Sequence, residues 1–507
     1  MGHSLAQLLL VGITRSRSAL KLPPRRSRRQ PFCLVGHVNE RHQPAGYTTW
    51  KHLIHISACV TTRCRLASSE SKDGGKLMSR RRILAIGDSI RLVPKAKMAD
   101  VDVVYMQKPS QFDSTLIAHC QQIVLVDYQH IPTAVAMATA LHKTAPVVRI
   151  VTQTEAAQLV AGHLTDALGL LGTTEHTARL LHDKSSMRAL LNEHDIGPVP
   201  FVSNPSRAQL REFVASHGPA VIKPTMGSGS LGVRRISSLE EIDDVWAWCQ
   251  TVDLGDFLVE KCLVGPECSV EAFSVDGRHR IIAVTAKETD GGSVEIGHAI
   301  PASIADTELG QIHDLTVRLL DAVGLTDGPS HTELILTADG PRIVESHTRR
   351  GGDQINELVK LVYGIDMEEA TYRLVNGGDP LPDPLPPARG AAVIHFLAAS
   401  PGVVTSVSGV DTARSARGVV KVVVQVEPGA TVSELRWSDD RCGYVIVHAE
   451  DLDTALDLAR EAAGHVVIST DPITGDAGAA PAVETLSEIL RPYDEVLNPY
   501  RVSSDIR

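Results

Sequence analysis

The stretch SHTELILTADGPRIVESHTRRGGD (330–353) narrows the folds open to this chain more than any other. Two alternating runs flank Ala338-Asp339-Gly340, the pattern of a β-hairpin whose three-residue loop has Gly in the left-handed position. Such a loop sets Glu333 directly opposite Glu345, with Cβ atoms roughly 4.5–5.5 Å apart. Alternation puts Glu345, His347 and Arg349 on one face of the second strand. Two carboxylates so placed repel unless they share a proton or hold a hard dication, and Mg²⁺ is typically held by one or two carboxylates plus phosphates. A slip of one residue would send the acids to opposite faces, so everything here depends on register. Arg349 is placed to grip an anion bidentately, and Gly351 and Gly352 open backbone N–H groups beside it. The blander alternative is a solvated hairpin with scattered charges.

Three other stretches carry candidate chemistry. In AVIKPTMGSGSLGVRRI (220–236) a strand ends at Lys223, a loop with Gly227, Ser228, Gly229 and Gly232 follows, and a β-branched run resumes. Small residues let several backbone N–H groups converge on phosphate oxygens. A Walker loop has its lysine after the glycines and then a helix; here the order is reversed, so a hairpin flap is expected. FLVEKCLVGPECSVEAF (257–273) breaks at Glu260-Lys261 and resumes at Glu267. Such a connector either presents its backbone to a purine edge, leaving a carboxylate for ribose hydroxyls, or is a solvated charged turn. In HDKSSMRALL (182–191), Asp183-Lys184 begins a helix whose Met187, Leu190 and Leu191 face inward. Lys184 then either reaches phosphates or is a surface lysine.

The rest of the chain sets these pieces in a frame. From RILAIGD to about residue 170, short apolar runs alternate with helical segments, which predicts a small parallel sheet covered by helices. No GxGxxG occurs there, so a dinucleotide site is unsupported. From 171 to 380 the texture becomes hairpins and helices, with Asp-Gly turns in VDGRHRI and LTADGPRIV. The prolines of LPDPLPPARG read as a linker to a last α+β segment. The predicted division is therefore 1–77, 78–170, 171–380 and 381–507.

Charge is informative only after the chain is cut. Residues 1–77 hold 13 Lys and Arg against 3 acids, leaving 37 against 57 in the remainder. An acidic body does not suggest nucleic-acid binding. The basic leader has only a short apolar run without a positive flank, a poor signal peptide and no membrane span. Its Arg-rich, acid-poor composition leaves a transit peptide open. The expectation adopted is that it is disordered or foreign to the native protein, with Met78 opening the first strand. Eight cysteines without a CxxC pair suggest reduced thiols in the cytoplasm, with neither a disulfide framework nor a zinc site.

Taken in this order, the residues over about 171–380 resemble the ATP-grasp superfamily of carboxylate–amine ligases. The resemblance implies a small parallel α/β domain, a two-lobed ATP-grasp domain and an α+β C-terminal domain. It makes Lys184 and Lys223 the phosphate-binding lysines and Gly227, Ser228, Gly229 and Gly232 the phosphate loop. Glu260, Lys261 and Leu263 fall on the adenine connector, Glu267 on the ribose-binding acid, and Glu333 and Glu345 on the metal carboxylates. Arg349 matches the arginine of the family's Glu-x-Asn-x-Arg motif, although His347 stands where Asn is usual. A neutral imidazole does not suit Mg²⁺, so His347 is expected to bond a phosphate oxygen or to orient Glu345.

The flanks VEIGHAIPA (294–302) and ESHTRRGGD (345–353) look like the branch that includes bacterial L-amino-acid ligases. His298 then lies near the substrate's activated carboxyl group. The cofactors implied are ATP and Mg²⁺, with Mn²⁺ as a substitute. The partners implied are a small-molecule carboxylate and an amine, amino acids in both roles, with no nucleic acid or membrane and a homodimer as the assembly. The weighed alternatives are a carboxylase of the same superfamily, using bicarbonate, and a regulatory protein that binds ATP without turnover.

Overall fold

The computed structural model describes residues 62–63, 80–87, 92–227, 232–252, 254–289 and 294–473. Ser228 and Gly229 of the glycine loop lie outside the described residues, as does the leader 1–77 apart from 62–63.

Strands β2 (Arg82–Ile86), β3 (Asp102–Gln107), β4 (Gln122–Leu125) and β5 (Arg149–Val151) form a parallel sheet in the order β4-β3-β2-β5. A two-residue strand, β1 (Thr62–Arg63), pairs antiparallel on the β4 edge. These strands are apolar on both faces because both are covered. Leu84 and Ile86 pack toward helices α1 (Ile131–Thr144) and α2 (Gln158–Ala167). Ile83 and Ala85 point the other way, to a core that includes Tyr372 and Val375 from much later in the chain.

Helices α3 (Glu175–His182) and α4 (Lys184–Glu193) lead into an antiparallel sheet in the order β6-β9-β7-β8. Its strands are β6 (Phe201–Ser203), β7 (Ala220–Pro224), β8 (Arg234–Ile236) and β9 (Phe257–Lys261). Ile222 and Val259 bury one face against Leu210 and Val245 of helices α5 (Arg207–His217) and α6 (Ile242–Thr251). The β7–β8 pair is the hairpin expected around the glycine loop.

The largest sheet has eight strands in the order β14-β13-β10-β11-β12-β15-β19-β17. They are β10 (Glu267–Val275), β11 (Arg278–Thr289), β12 (Glu295–Ile300), β13 (Gly328–Thr337), β14 (Gly340–His347), β15 (Ala391–Leu397), β17 (Val419–Val424) and β19 (Gly443–Ala449). The β10–β11 turn has Asp276 and Gly277 at φ 50° and 74°, the left-handed pair that a two-residue hairpin needs. Proline spacing put a boundary at 380, yet the hydrogen bonds cross it: β12 pairs with β15, Gly297 opposite His395 and Ile300 opposite Ala392. The prolines mark an exit from the sheet and not the end of it. A small sheet of β16 (Gly402–Ser408), β18 (Thr431–Val432) and β20 (Val467–Asp471) lies beside this extension. Among the described residues no helix is long and apolar enough to cross a membrane.

Candidate functional site

Strands β13 and β14 set Glu333 directly opposite Glu345, and His331 opposite His347. The expected alignment is present, but not through the expected loop. Thr337 pairs with Gly340, so the turn has two residues, Ala338 and Asp339. A β-bulge at the step between Glu333 and Leu334 supplies the extra residue that the shorter turn lacks and restores the pairing. Leu334 and Ile343 go to the apolar core beneath, and Glu333 and Glu345 stay on the wall of a cleft of about 630 Å³.

The acid pair is relieved not by a shared proton but by cations of the protein itself. Lys287 Nζ sits 2.8 Å from Glu333, and Lys184 Nζ 3.5 Å from Glu345. Burial by itself would raise both carboxyls. Lys287 with His331 outweighs it at Glu333, and Lys184 with His347 outweighs both burial and the facing acid at Glu345. Both are thus held below the ordinary carboxylate range and are ionised at neutral pH.

Each acid has an imidazole behind it, and each imidazole has a second acid. His331 Nε2 is 3.1 Å from Glu333, and its Nδ1 is 2.9 Å from Glu271 on β10. His347 Nε2 is 3.2 Å from Glu345, and its Nδ1 is 3.1 Å from Glu155. The two rings stack, with centroids 6.4 Å apart and planes 13° from parallel. Burial would lower both imidazoles, but Glu271 and Glu155 raise them. His347 is buried behind the cleft wall, which fits the orienting role of the two expected for it.

Opposite the hairpin lie the two expected lysines. Asp183 caps α4 by accepting from the Ser186 amide, which starts the helix at Lys184. Met187 and Leu191 are buried as predicted, and Leu190 only partly. Lys184 Nζ donates to the Gly227 carbonyl at 2.6 Å, tying the helix to the glycine loop. Lys223 on β7 pairs with Glu260 of the adjacent strand at 2.5 Å. Glu260 also takes Arg188 Nε at 3.0 Å and is 3% exposed, so its side chain is not part of a solvated turn. It is a buried brace for Lys223. Lys261, Leu263 and Glu267 continue the cleft wall past it, and Gly227 also lines it. Gly232 does not.

The segment after β14 differs most from expectation. Arg349 lines the cleft, but its Nε donates to Glu155 at 2.6 Å and one Nη to the Arg350 carbonyl, so part of the fork is engaged inside the protein. Gly352 lines the cleft, whereas Gly351 is buried behind it. A Cβ at Gly351 would lie 3.0 Å from both Glu271 Oε2 and His331 Nδ1. Its amide is directed at the buried Glu271 carboxylate, whose ionised form it favours, so it is not an open donor to a ligand. His298 also reaches the cleft; its Nε2 lies 3.1 Å from Asp353, which Arg441 Nη1 holds at 2.8 Å.

Lys287, Glu155, Glu271, Asp353 and Arg441 were missed by sequence reasoning. Lys287 in RIIAVTAKET and Glu271 in CSVEAF are charges inside apolar strands, and that signal could have flagged both. Glu155 stands in an ordinary loop, TQTEAAQ, with no local mark. The cleft alternates cations with paired carboxylates, which suits a polyanionic ligand that brings a divalent ion.

Residues 216–357 match the ATP-grasp domain family, and residues 395–471 match the L-amino acid ligase C-terminal domain 2. The uncharacterized protein y4rH of Sinorhizobium fredii is 26% identical over 73% of this chain and 78% of its own length. The L-arginine-specific L-amino acid ligase of Bacillus subtilis is 24% identical over 58% of this chain and 74% of its own. The crystal structure of L-amino acid ligase from Bacillus licheniformis superposes with a TM-score of 0.67 over 77% of this chain and 99% of that one, at 18% identity, a likeness of fold. With an ATP-grasp domain and an L-amino acid ligase C-terminal domain matched in chain order, the chain is similar to the L-amino acid ligases in sequence and in fold.

Proposed function

We propose that this protein uses ATP to phosphorylate a substrate carboxylate and then joins the acyl group to an amine, with amino acids in both roles. The observation that carries the reading is the ionised pair Glu333 and Glu345, face to face on a cleft wall opposite Lys184 and Lys223. Mg²⁺ fits this donor set. The two carboxylates are hard oxygen ligands, and among the described residues no cluster of three or more His, Cys, Asp or Glu could hold a metal. Glu333 and Glu345 would hold the ion, leaving its other positions to phosphate and water. Bound there, it would neutralise charge on the β- and γ-phosphates.

The chain's own residues do the rest. Lys184 and Lys223 take the phosphate chain, with Glu260 and the Gly227 carbonyl keeping them in place. The backbone of Lys261 to Leu263 faces the base, and Glu267 the ribose. Arg349 turns the remaining edge of its guanidinium to the transferring phosphoryl and to the oxyanion formed when the amine attacks. The Gly352 amide, on the cleft wall, shares that role, and the buried Gly351 does not. His298, held by Asp353, lies toward the acceptor. Closing of the glycine loop would exclude water from the acyl phosphate. A cytoplasmic location belongs to the same reading; the five described cysteines are free thiols.

The test is an ADP-release screen over the amino acids, singly and in pairs, with hydroxylamine added to trap activated carboxyl groups and mass analysis of products. Amino-acid hydroxamates and dipeptides are expected. ADP release that depends on bicarbonate and yields no hydroxamate would replace the ligase reading with a carboxylase.

A further inference from the structure

Four consecutive residues, His347 at the end of β14 and the three that follow it, are held by one segment of the N-terminal region. That segment, residues 153–158, is the loop after β5 together with the first residue of α2, at the carboxyl end of the parallel sheet, where such folds gather their functional loops. His347 Nδ1 lies 3.1 Å from Glu155 Oε1, and Thr348 Oγ1 donates to Gln158 Oε1. Arg349 Nε donates to Glu155 Oε2 at 2.6 Å, and the Arg350 amide donates to Gln153 Oε1 at 3.0 Å. Glu155 also meets His182 Nδ1 at 3.1 Å.

Glu155 is therefore the hub of the loop. Its side chain is 15% exposed and does not line the cleft, so it touches no bound substrate. Burying a carboxylate is costly unless its partners need it. Here the partners are the cleft arginine and the imidazole behind Glu345. An arginine used to grip an anion must present its donors at a fixed angle, and the carboxylate on Nε fixes that angle while leaving Nη hydrogens not taken by the Arg350 carbonyl for the ligand.

We infer that Glu155 is a positioning residue of the site: it orients Arg349 directly and Glu345 through His347, which makes the 153–158 loop part of the active site. The inference rests on the ligase reading for its kinetic consequence, though not for its structural one. A tie that served only to fasten the two regions would behave like the Arg149–Asp327 pair, 3.2 Å apart, which lines a small pocket with Thr348 but bonds none of residues 347–350.

The full-length protein is compared with Glu155→Gln, Glu155→Asp and Asp327→Asn, using ATP with a mixture of the twenty amino acids as the probe. Misplacing a substrate-positioning group costs about 100-fold in turnover, so Glu155→Gln should lose that much kcat while KM for ATP moves by less than about threefold. Glu155→Asp should recover about tenfold of the loss, and Asp327→Asn should lower Tm with kcat retained. Amide hydrogen exchange over 347–350 should speed up in Glu155→Gln and stay unchanged in Asp327→Asn. Near-parental kcat in Glu155→Gln, or an equal loss of kcat in Asp327→Asn, overturns the inference. If the parent releases no ADP with any amino acid, the ligase reading fails, and exchange alone decides: unchanged protection at 347–350 in Glu155→Gln overturns the positioning role, and faster exchange upholds it.

Discussion

Glu333 and Glu345 face each other as near-equivalents, each backed by an imidazole and then by a second carboxylate, but the two supports come from different places. Glu271, behind His331, sits directly opposite that residue on the neighbouring strand, so the same ladder that builds the sheet builds the array. Glu155, behind His347, arrives from a loop of the N-terminal region. One acid is secured by strand register. The other depends on how two regions pack. Support within the sheet should therefore be coupled to stability, and support across the regions to turnover.

The largest effect tests whether the pair matters at all. Glu333→Gln keeps the shape and removes one charge, so carboxylate-dependent ADP release should fall by about 1000-fold or more, as when a transition-state charge contact is lost. Near-normal turnover in that variant would end the comparison along with the function.

Next comes the contrast between the two backing acids. Glu271 is fully buried, and its loss strands His331 against Glu333. Glu271→Gln should destabilise the fold by about 3 kcal/mol, read as a shift in denaturant midpoint. Glu155→Gln should cost less stability and more kcat. Equal losses of stability would erase the distinction.

A smaller effect separates the two glycines. Gly351→Ala places a methyl 3.0 Å from Glu271 and His331, so it should cost on the order of 1–3 kcal/mol and slow turnover. Gly352→Ala meets nothing within 4 Å and should stay within about 0.5 kcal/mol of the parent.

The smallest is a pH effect on the metal-free protein. Burial would lower His331, yet Glu271 and Glu333 lift it from 6.5 to about 9. A raised imidazole stabilises fully below its unfolded value, and the contribution is lost as pH rises through the folded one. Tm should therefore drop by a few degrees between pH 6.5 and 9. Glu271→Gln should flatten that slope, and Glu155→Gln, which removes the partner of His347 instead, should flatten it less; equal slopes in both variants would refute the assignment to His331.

Much of the site could be read along the chain because it is local. Period-two alternation placed Glu333 and Glu345 on their faces, Asp183 started the helix at Lys184, and the Lys223 hairpin followed from β-branched runs around glycines. The turn shows the limit of such reading. A three-residue loop and a two-residue turn with a bulge give the same pairing of Glu333 with Glu345. Local pattern could name the pairing without naming how it is reached. The boundary at 380 shows a related limit: prolines report where the chain leaves a sheet, and cannot report that β15 returns to pair with β12.

By itself, then, the sequence determined the strands, the turns and the residue types that converge on a polyanion, since these depend on neighbours one to four positions apart. Only the tertiary structure decided which charges answer one another. Lys287 beside Glu333, Glu260 beneath Lys223 and Glu155 behind Arg349 meet across separate elements. The physical reason is that a buried charge is tolerated only next to a partner, and the partner is chosen by packing in three dimensions rather than by position along the chain.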